Sequence, residues 1–346
     1  MFDRSAYFTS QNARIAWFLG QYLLSNRLSR PVAAPPGAPA RRHRPSPTLA
    51  ELLQDIATLL RKDWRNIRDG IYRAPPPITE EAARLVTDAL RYFRDLPDVT
   101  ARRRRDGFDE VRRVVPGRGF PDYYLRNFHY QTDGYLSERS ALLYDQQVEV
   151  LFIGSADAMR RQALPPIASV LRRRVGAVVH LDVACGTGRF LATVLDSFPR
   201  LRSIGLDLSP DYLAEAKRSL RAHPNATLVR GLAETLPLAD GSVDLLTCVY
   251  LLHEVPPDVR SRIAGEFGRV LRPGGRVVIV DSLQHGDRPA WDRLLTGFPR
   301  SFHEPFYADY AATDLARLFG ASGLRAASSE LAFLSKIMVF DKPDGT

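Results

Sequence analysis

The 346-residue chain contains only two cysteines, Cys185 and Cys248. That excludes a disulfide framework and a zinc centre built from cysteine thiolates, and it fits a reducing compartment. No apolar run approaches the ~18 residues that a membrane-spanning helix needs. The N-terminus lacks the compact apolar stretch and small-residue cleavage site of a secretory leader. A cytoplasmic chain is therefore expected. Hydrophobic residues make up 45% and charged residues 25% of the sequence, the balance of a soluble globular protein. A chain this long buries a large core without cross-links, and its length favours about two domains.

Lysine is scarce, and the basic residues are nearly all arginine. The net charge of +9 is unevenly placed. Residues 1–174 hold 29 Lys and Arg against 19 Asp and Glu, whereas residues 175–346 hold 19 against 20. A basic half of this kind suits anionic lipid, an acidic substrate, nucleic acid or a partner, or is simply a solvated helical surface, which is the commoner case.

Ile15, Phe18, Leu19, Tyr22 and Leu23 recur at helical spacing. They predict an amphipathic N-terminal helix within residues 1–30, its stripe at 12–29 set against a membrane surface, the protein's own core or a dimer partner, with protein favoured. Residues 31–48, PVAAPPGAPARRHRPSPT, are too rich in proline and basic residues for a helix or packed strand and read as a linker, which contains His43. Residues 49–164 read as a helical lid or dimerisation region. One helix starts after Ser46-Pro47-Thr48, with a stripe at Leu49, Leu52, Leu53, Ile56, Leu59 and Leu60; another starts with Thr79 as its cap and carries Ala83, Leu85, Leu90 and Phe93. The run Arg102–Arg105 reads as a surface loop or helix end. Segment 120–150 is dense in aromatics, either a core edge or a pocket wall. From residue 165 to 346 strand and helix patterns alternate, which implies parallel strands with crossover helices and an antiparallel pair at one edge.

The first strand of that region, 178–184, ends in Asp182-Val183-Ala184-Cys185-Gly186-Thr187-Gly188 before a helix. Such a turn lets the backbone approach a ligand closely. Asp207 ends the next strand, 19 residues after Gly188, the place for an acid that binds ribose hydroxyls. The loop carries an acid at its front and lacks the third glycine of a dinucleotide fingerprint, so a positively charged ligand such as S-adenosylmethionine (SAM) suits it better than a diphosphate.

LDVACGTGRFL, IGLDLSPDYL, GLAETLPLADGSVDLLTCVYLLHEVPP and LRPGGRVVIVDS, within 178–282, together resemble the motifs of the class I SAM-dependent methyltransferases. The D-x-A-x-G-T-G form and the A-E-x-L-P segment lean towards the ubiquinone/menaquinone-biosynthesis-like group. The resemblance implies an α/β fold, a Rossmann-like doubly wound sheet of order 3-2-1-4-5-7-6, preceded here by the helical region. It implies that Asp182 faces the amino-acid end of SAM, that Ala184, Gly186 and Gly188 bring the loop backbone to it, and that Asp207 takes the ribose hydroxyls. It places Leu208 on the adenine face, Ala233 and Glu234 at its edge, and Tyr250 and Leu251 beside the methionine chain. Leu232 stands where many relatives have an Asp for the adenine amino group. Glu234, a backbone carbonyl or shape alone must replace that acid.

Methyl transfer needs alignment, exclusion of water and, for an oxygen or carbon nucleophile, removal of a proton. His253 and Glu254, after the fourth strand, are the expected base and its orienter. Tyr124, His129, Tyr130, His303 and Tyr307 are the expected acceptor-binding residues, with Glu304 beside His303 in the insertion after the fifth strand. His180, His223 and His43 read as structural, and His285 stays open. No His, Cys, Asp and Glu cluster has metal-ligand spacing, so no metal is expected. The favoured function is methylation of a small lipophilic or aromatic acceptor. Methylation of nucleic acid or protein through the basic half competes with it, as does a non-catalytic SAM-binding partner protein. Against the nucleic-acid reading, Cys248-Val249-Tyr250-Leu251 is not an N/D-P-P-Y/F motif.

Overall fold

The computed structural model describes residues 3–29, 47–114, 119–174 and 176–344. The linker expected at 31–48, including His43, lies outside them except for residues 47 and 48. Among the described residues the helices are α1 (Arg4–Leu28), α2 (Leu49–Arg68), α3 (Ala82–Arg105), α4 (Val111–Val114), α5 (Glu138–Leu151), α6 (Ala156–Arg161) and α7 (Leu164–Arg173), then α8 (Arg189–Ser197), α9 (Pro210–Ser219), α10 (Pro257–Val270), α11 (Asp292–Phe302), α12 (Tyr307–Ala312) and α13 (Leu315–Gly320). The strands are β1 (Val179–Val183), β2 (Arg202–Asp207), β3 (Ala226–Arg230), β4 (Val243–Val249), β5 (Leu271–Ser282), β6 (Arg325–Ala332) and β7 (Ser335–Asp341).

The sheet order is β3-β2-β1-β4-β5-β7-β6, as expected. β1 to β5 pair in parallel, and β7 runs antiparallel to β5 and β6. The central strands are buried on both faces, which is why β4 and β5 read as near-continuous apolar runs. Val183 pairs with Leu206 on one side and Cys248 on the other. This register brings the ends of β1, β2 and β4 level, so the loops that follow them share one edge of the sheet. That edge, where the winding reverses between β1 and β4, is where a doubly wound sheet opens a crevice. Gly188 caps α8 at φ +74°, and a Cβ there would lie 3.1 Å from Ala216 of α9.

The N-terminal helices share a core with the sheet. One apolar cluster runs from Ile56, Leu59 and Leu60 of α2 through Met159 and Leu164 to the buried strands. Thr48 forms a capping box with Glu51, which fixes the start of α2 as expected. Three local expectations change. First, α1 buries Tyr7, Gln11, Arg14, Phe18, Gln21 and Ser25, a partly polar face, while Trp17, Leu23, Leu24 and Leu28 are exposed. The cause is Arg14, whose guanidinium reaches Glu81 (2.8 Å), Glu149 (3.0 Å) and Asp157 (3.4 Å) and turns its own face inward. Second, α3 follows a short turn at Ile78–Glu81, with no side-chain cap from Thr79, and Leu90 is exposed. Third, the arginine run ends α3, but Arg102 is buried and donates to the Tyr130 carbonyl and to Thr132.

Asp63 of α2 is fully buried. Its carboxylate accepts from Arg161 (2.6 Å), Tyr7 (2.5 Å) and Tyr72 (2.6 Å), so one acid ties α1, α2 and α6 together. Asp63→Ala leaves a buried guanidinium and two phenols without their acceptor and is expected to cost about 3–5 kcal/mol of unfolding free energy. Asp69→Ala, which breaks an exposed pair with Arg68, is expected to cost under about 1 kcal/mol. Urea denaturation of the two variants checks the contrast.

Candidate active site

The loops at the C-terminal edge of β1, β2 and β4 form the floor of a narrow cavity. Ala184, Gly186, Asp207, Leu208, Leu232, Ala233, Glu234, Tyr250 and Leu251 line it. Segment 120–150 roofs it with Tyr123, Tyr124, Phe128, Tyr135 and Tyr144, joined by Tyr212 of α9. Burial raises the pKa of each of these five N-terminal and α9 tyrosines well above the ordinary phenol range, so the roof is neutral. Asp207 accepts from the Gly186 amide (2.9 Å) and the Ser209 amide (2.8 Å). Each oxygen keeps a further lone pair, and the carboxylate faces the cavity. A cavity-facing acid at the end of β2, apolar walls and a wall of tyrosine faces, which attract cations, fit a nucleoside attached to a sulfonium.

Asp182 and Gly188 do not line this cavity. Asp182 is buried behind the loop, where its carboxylate accepts from Thr247 Oγ1 (2.6 Å). Thr247 and Ser203 hold the two nitrogens of His180 at 2.8 and 3.0 Å, which makes His180 structural as expected. Burial raises the Asp182 pKa to about 7, with the Thr247 bond opposing and the charge of Asp207 adding to it. Glu234 lines the cavity, and Tyr123 donates to its carboxylate at 2.6 Å. Tyr123 belongs to the aromatic segment expected as a core edge or a pocket wall, and it is a wall of this cavity.

A second, larger cavity of about 1150 Å³ lies under the N-terminal helices, mostly apolar, with Val148, Phe152, Leu294, Phe298, Phe302 and Phe333 among its walls. Tyr144, Tyr250 and Glu254 line both cavities. His253 faces the second. Its Nδ1 lies 2.5 Å from Asp281 Oδ1, whereas Glu254 Oε1 is 3.9 Å from Nε2. Asp281, at the end of β5, is therefore the orienter, not Glu254, which accepts from Tyr135 (2.6 Å). Burial pulls the His253 pKa down, but the facing Asp281 charge and hydrogen bond outweigh it and raise it to about 9. Burial and the nearby charge of Glu304 raise that of Glu254.

The expected acceptor residues divide. His129, Tyr130 and Tyr307 line the large cavity; Tyr124 belongs to the narrow one. His303 lines neither; it stacks on Phe108 with ring centroids 4.3 Å apart. The side chain that turns inward here is its neighbour Glu304, read from the sequence together with His303, beside His129 Nε2 at 2.9 Å. His129, Ala184, Tyr250 and His303 all have positive φ, between 47° and 57°. Such strained non-glycine backbone gathers where a site is held in place. His223 contacts Asp196 (3.4 Å) and His285 lies near Asp292 (3.8 Å), both away from the cavities.

Residues 181–275 match the family model described as "Methyltransferase domain". The chain is 34% identical over 151 residues to an uncharacterized methyltransferase of Synechocystis sp., an alignment covering 44% of this chain and 68% of that protein. It is 36% identical over 138 residues to the demethylmenaquinone methyltransferase of Beutenbergia cavernae, covering 40% of this chain and 52% of that one, so it spans about half of this relative. Among solved structures it is similar to a SAM-dependent methyltransferase from Aquifex aeolicus, at 16% identity and a TM-score of 0.39, covering 53% of this chain and 92% of that one.

Asp207→Ala is expected to weaken SAM binding at least ~10-fold, the scale of lost hydrogen bonds to a charged group, with an unchanged circular dichroism spectrum; calorimetry checks it. Asp182 gives a pH dependence. Its folded pKa of about 7 lies above the unfolded value, so the native state holds the proton more tightly. Its contribution to stability is full below about pH 4 and is lost as pH rises through 7. Between pH 4 and 8 the wild-type chain is expected to lose more stability than Asp182→Asn, measured by denaturant unfolding without SAM.

Proposed function

The chain belongs to the class I SAM-dependent methyltransferases of the ubiquinone/menaquinone-biosynthesis-like group, and on that premise we propose that it methylates a small lipophilic or aromatic acceptor with an ionisable hydroxyl or carbon acid. The observation that carries the proposal is the His253–Asp281 pair at the place where the cofactor cavity meets a large apolar one.

Bound in the narrow cavity, SAM supplies an electrophilic methyl group on a sulfonium centre. Asp207 would hold its ribose hydroxyls, Leu208 its adenine face, Ala233 and Glu234 its adenine edge. Ala184 and Gly186 would present their backbone to it, and Tyr250 would border the methionine chain. The tyrosine roof and the helices above it cover the junction, and exclusion of water by a bound acceptor would strengthen electrostatic interactions there. Asp281 binds His253 through Nδ1 and leaves Nε2 as the nitrogen for an acceptor proton. A raised pKa makes the ring a strong proton acceptor when it is unprotonated. Tyr250, one of the three residues that line both cavities, is fixed by a hydrogen bond between its hydroxyl and Ser335 (2.8 Å), and Tyr307 by one with Ser282 (2.7 Å). The acceptor class rests on the apolar walls and on quinone-type relatives such as the demethylmenaquinone methyltransferase. No described helix is long and apolar enough to cross a membrane. The exposed Trp17, Leu23, Leu24 and Leu28 of α1 are the surface on which a membrane or dimer contact would form.

His253→Ala is expected to lower turnover by roughly 10²–10⁴-fold, the usual yield of general base catalysis, while SAM affinity stays within about twofold. Assay against a panel of lipophilic phenols and quinols, with calorimetry for SAM, checks it. Full turnover in that variant would remove His253 from the chemistry.

A further inference from the structure

Three more ionisable side chains meet at the acceptor end of the site. His129 comes from the turn before α5, Glu254 from the loop after β4, and Glu304 from the turn between α11 and α12. One donor atom from each lies within 4.8 Å of the other two. No local spacing announces this group, because its members are 125 and 50 residues apart in sequence. Glu304 is only 1% exposed. Neither of its oxygens receives an aligned hydrogen bond from a described residue, although His129 Nε2 stands 2.9 Å from one of them. A buried carboxylate that has given up its hydration without such partners is costly, and buried charges are normally paired or bound to metal. Two carboxylates sharing one imidazole form a donor set that a metal ion can complete in place of a proton.

We propose that His129, Glu254 and Glu304 bind a divalent metal ion of the manganese, iron(II) or zinc type, and that this ion captures the acceptor through two neighbouring oxygen atoms. Imidazole suits zinc and iron, and carboxylate suits manganese, whereas calcium and magnesium favour all-oxygen sets. Donors bound at about 2.0–2.2 Å stand roughly 3–3.5 Å apart; His129 and Glu304 already lie at 2.9 Å, and the wider pairs, within 4.8 Å, need to close by at most about 1–2 Å. Three protein donors leave coordination positions open to a ligand. His129 and Glu254 line the large cavity, and Glu254 lines the cofactor cavity as well, so the open positions lie between acceptor and methyl donor.

The inference rests on the reading of the large cavity as the acceptor site and narrows the acceptor to a vicinal diphenol or a hydroxyquinone. The ion lowers the pKa of the hydroxyl it binds. The hydroxyl proton passes to His253, an oxygen lone pair forms the new O–C bond, and the S–C bond breaks with its electron pair remaining on sulfur. The products are the methyl ether and S-adenosylhomocysteine.

The test uses the full chain, stripped with a chelator and dialysed, titrated with manganese(II) chloride and separately with zinc chloride, with and without SAM. Free manganese is followed by electron paramagnetic resonance, and both ions by calorimetry. The expected result is one ion per chain at micromolar affinity, weakened at least ~10-fold in Glu304→Gln and in His129→Asn, each with unchanged SAM affinity and circular dichroism. Two variants from different segments are used so that misfolding of one does not decide the outcome. Absence of binding by the wild-type chain, or binding that neither variant weakens, overturns the metal site. SAM binding without metal binding leaves the methyltransferase reading standing, whereas failure of the wild-type chain to bind SAM strikes that reading instead.

Discussion

The Asp281 carboxylate accepts three bonds at the end of β5: from the Leu252 amide (2.8 Å), from its neighbour the Ser282 amide (2.7 Å) and from His253 (2.5 Å). Two of its partners lie on the loop after β4, so this one fully buried acid holds that loop in place. Tyr250 leaves β4 at φ 57°, a conformation that costs a non-glycine residue energy and persists only where its surroundings over-determine it. The Asp281 bonds supply that determination. They set the direction of the His253 ring and, through it, the side of the junction on which Glu254 faces the acceptor cavity.

The roof over the junction depends on a different set of charges. Arg189, at the start of α8, binds Asp157 at 2.5 Å, and Asp157 also contacts Arg14 of α1 and Arg160 of its own helix. Together with the Asp63 cluster this joins three N-terminal helices to the helix that follows the glycine-rich loop. Buried ion pairs are seldom a large net source of stability, but breaking one leaves an uncompensated charge. They therefore fix position more than they add strength. Here they place α1, α5 and the aromatic segment so that apolar side chains enclose the large cavity above the sheet edge.

The two cavities consequently differ in chemistry. The narrow one has a fixed acid and backbone groups on its floor with neutral phenols above, an outline that suits a nucleoside. The wide one is mostly apolar, with ionisable groups confined to the end where the two meet. Desolvation at that end strengthens the interactions among His253, Asp281, His129, Glu254 and Glu304 over a few ångströms.

Most of the sheet was legible in the sequence. Period and apolar runs located the strands of residues 178–341 and their alternating helices, because parallel strands buried on both faces and amphipathic crossovers have distinct periodicities. The glycine-rich turn and Asp207 were readable for the same reason: a strand end, a turn and a helix start are local in the chain. Of the α1 stripe, Phe18 is buried and Ile15, Leu19 and Tyr22 pack against the core, while Leu23 is exposed; the polar part of the buried face was not legible, because Arg14 is held there by Glu81, Glu149 and Asp157 from distant segments. Asp281 was invisible as a site residue, and Glu254 was expected to orient His253, which Asp281 contacts instead; Tyr135 was readable only as part of an aromatic segment at a core edge or pocket wall, and Glu304 only as a companion of His303 and Tyr307. Local pattern determined the fold class and the cofactor loop. Only tertiary structure decided which carboxylate faces His253, which of His303 and Glu304 turns inward, and what stands beside His129, because those pairings depend on packing between segments that share no sequence period.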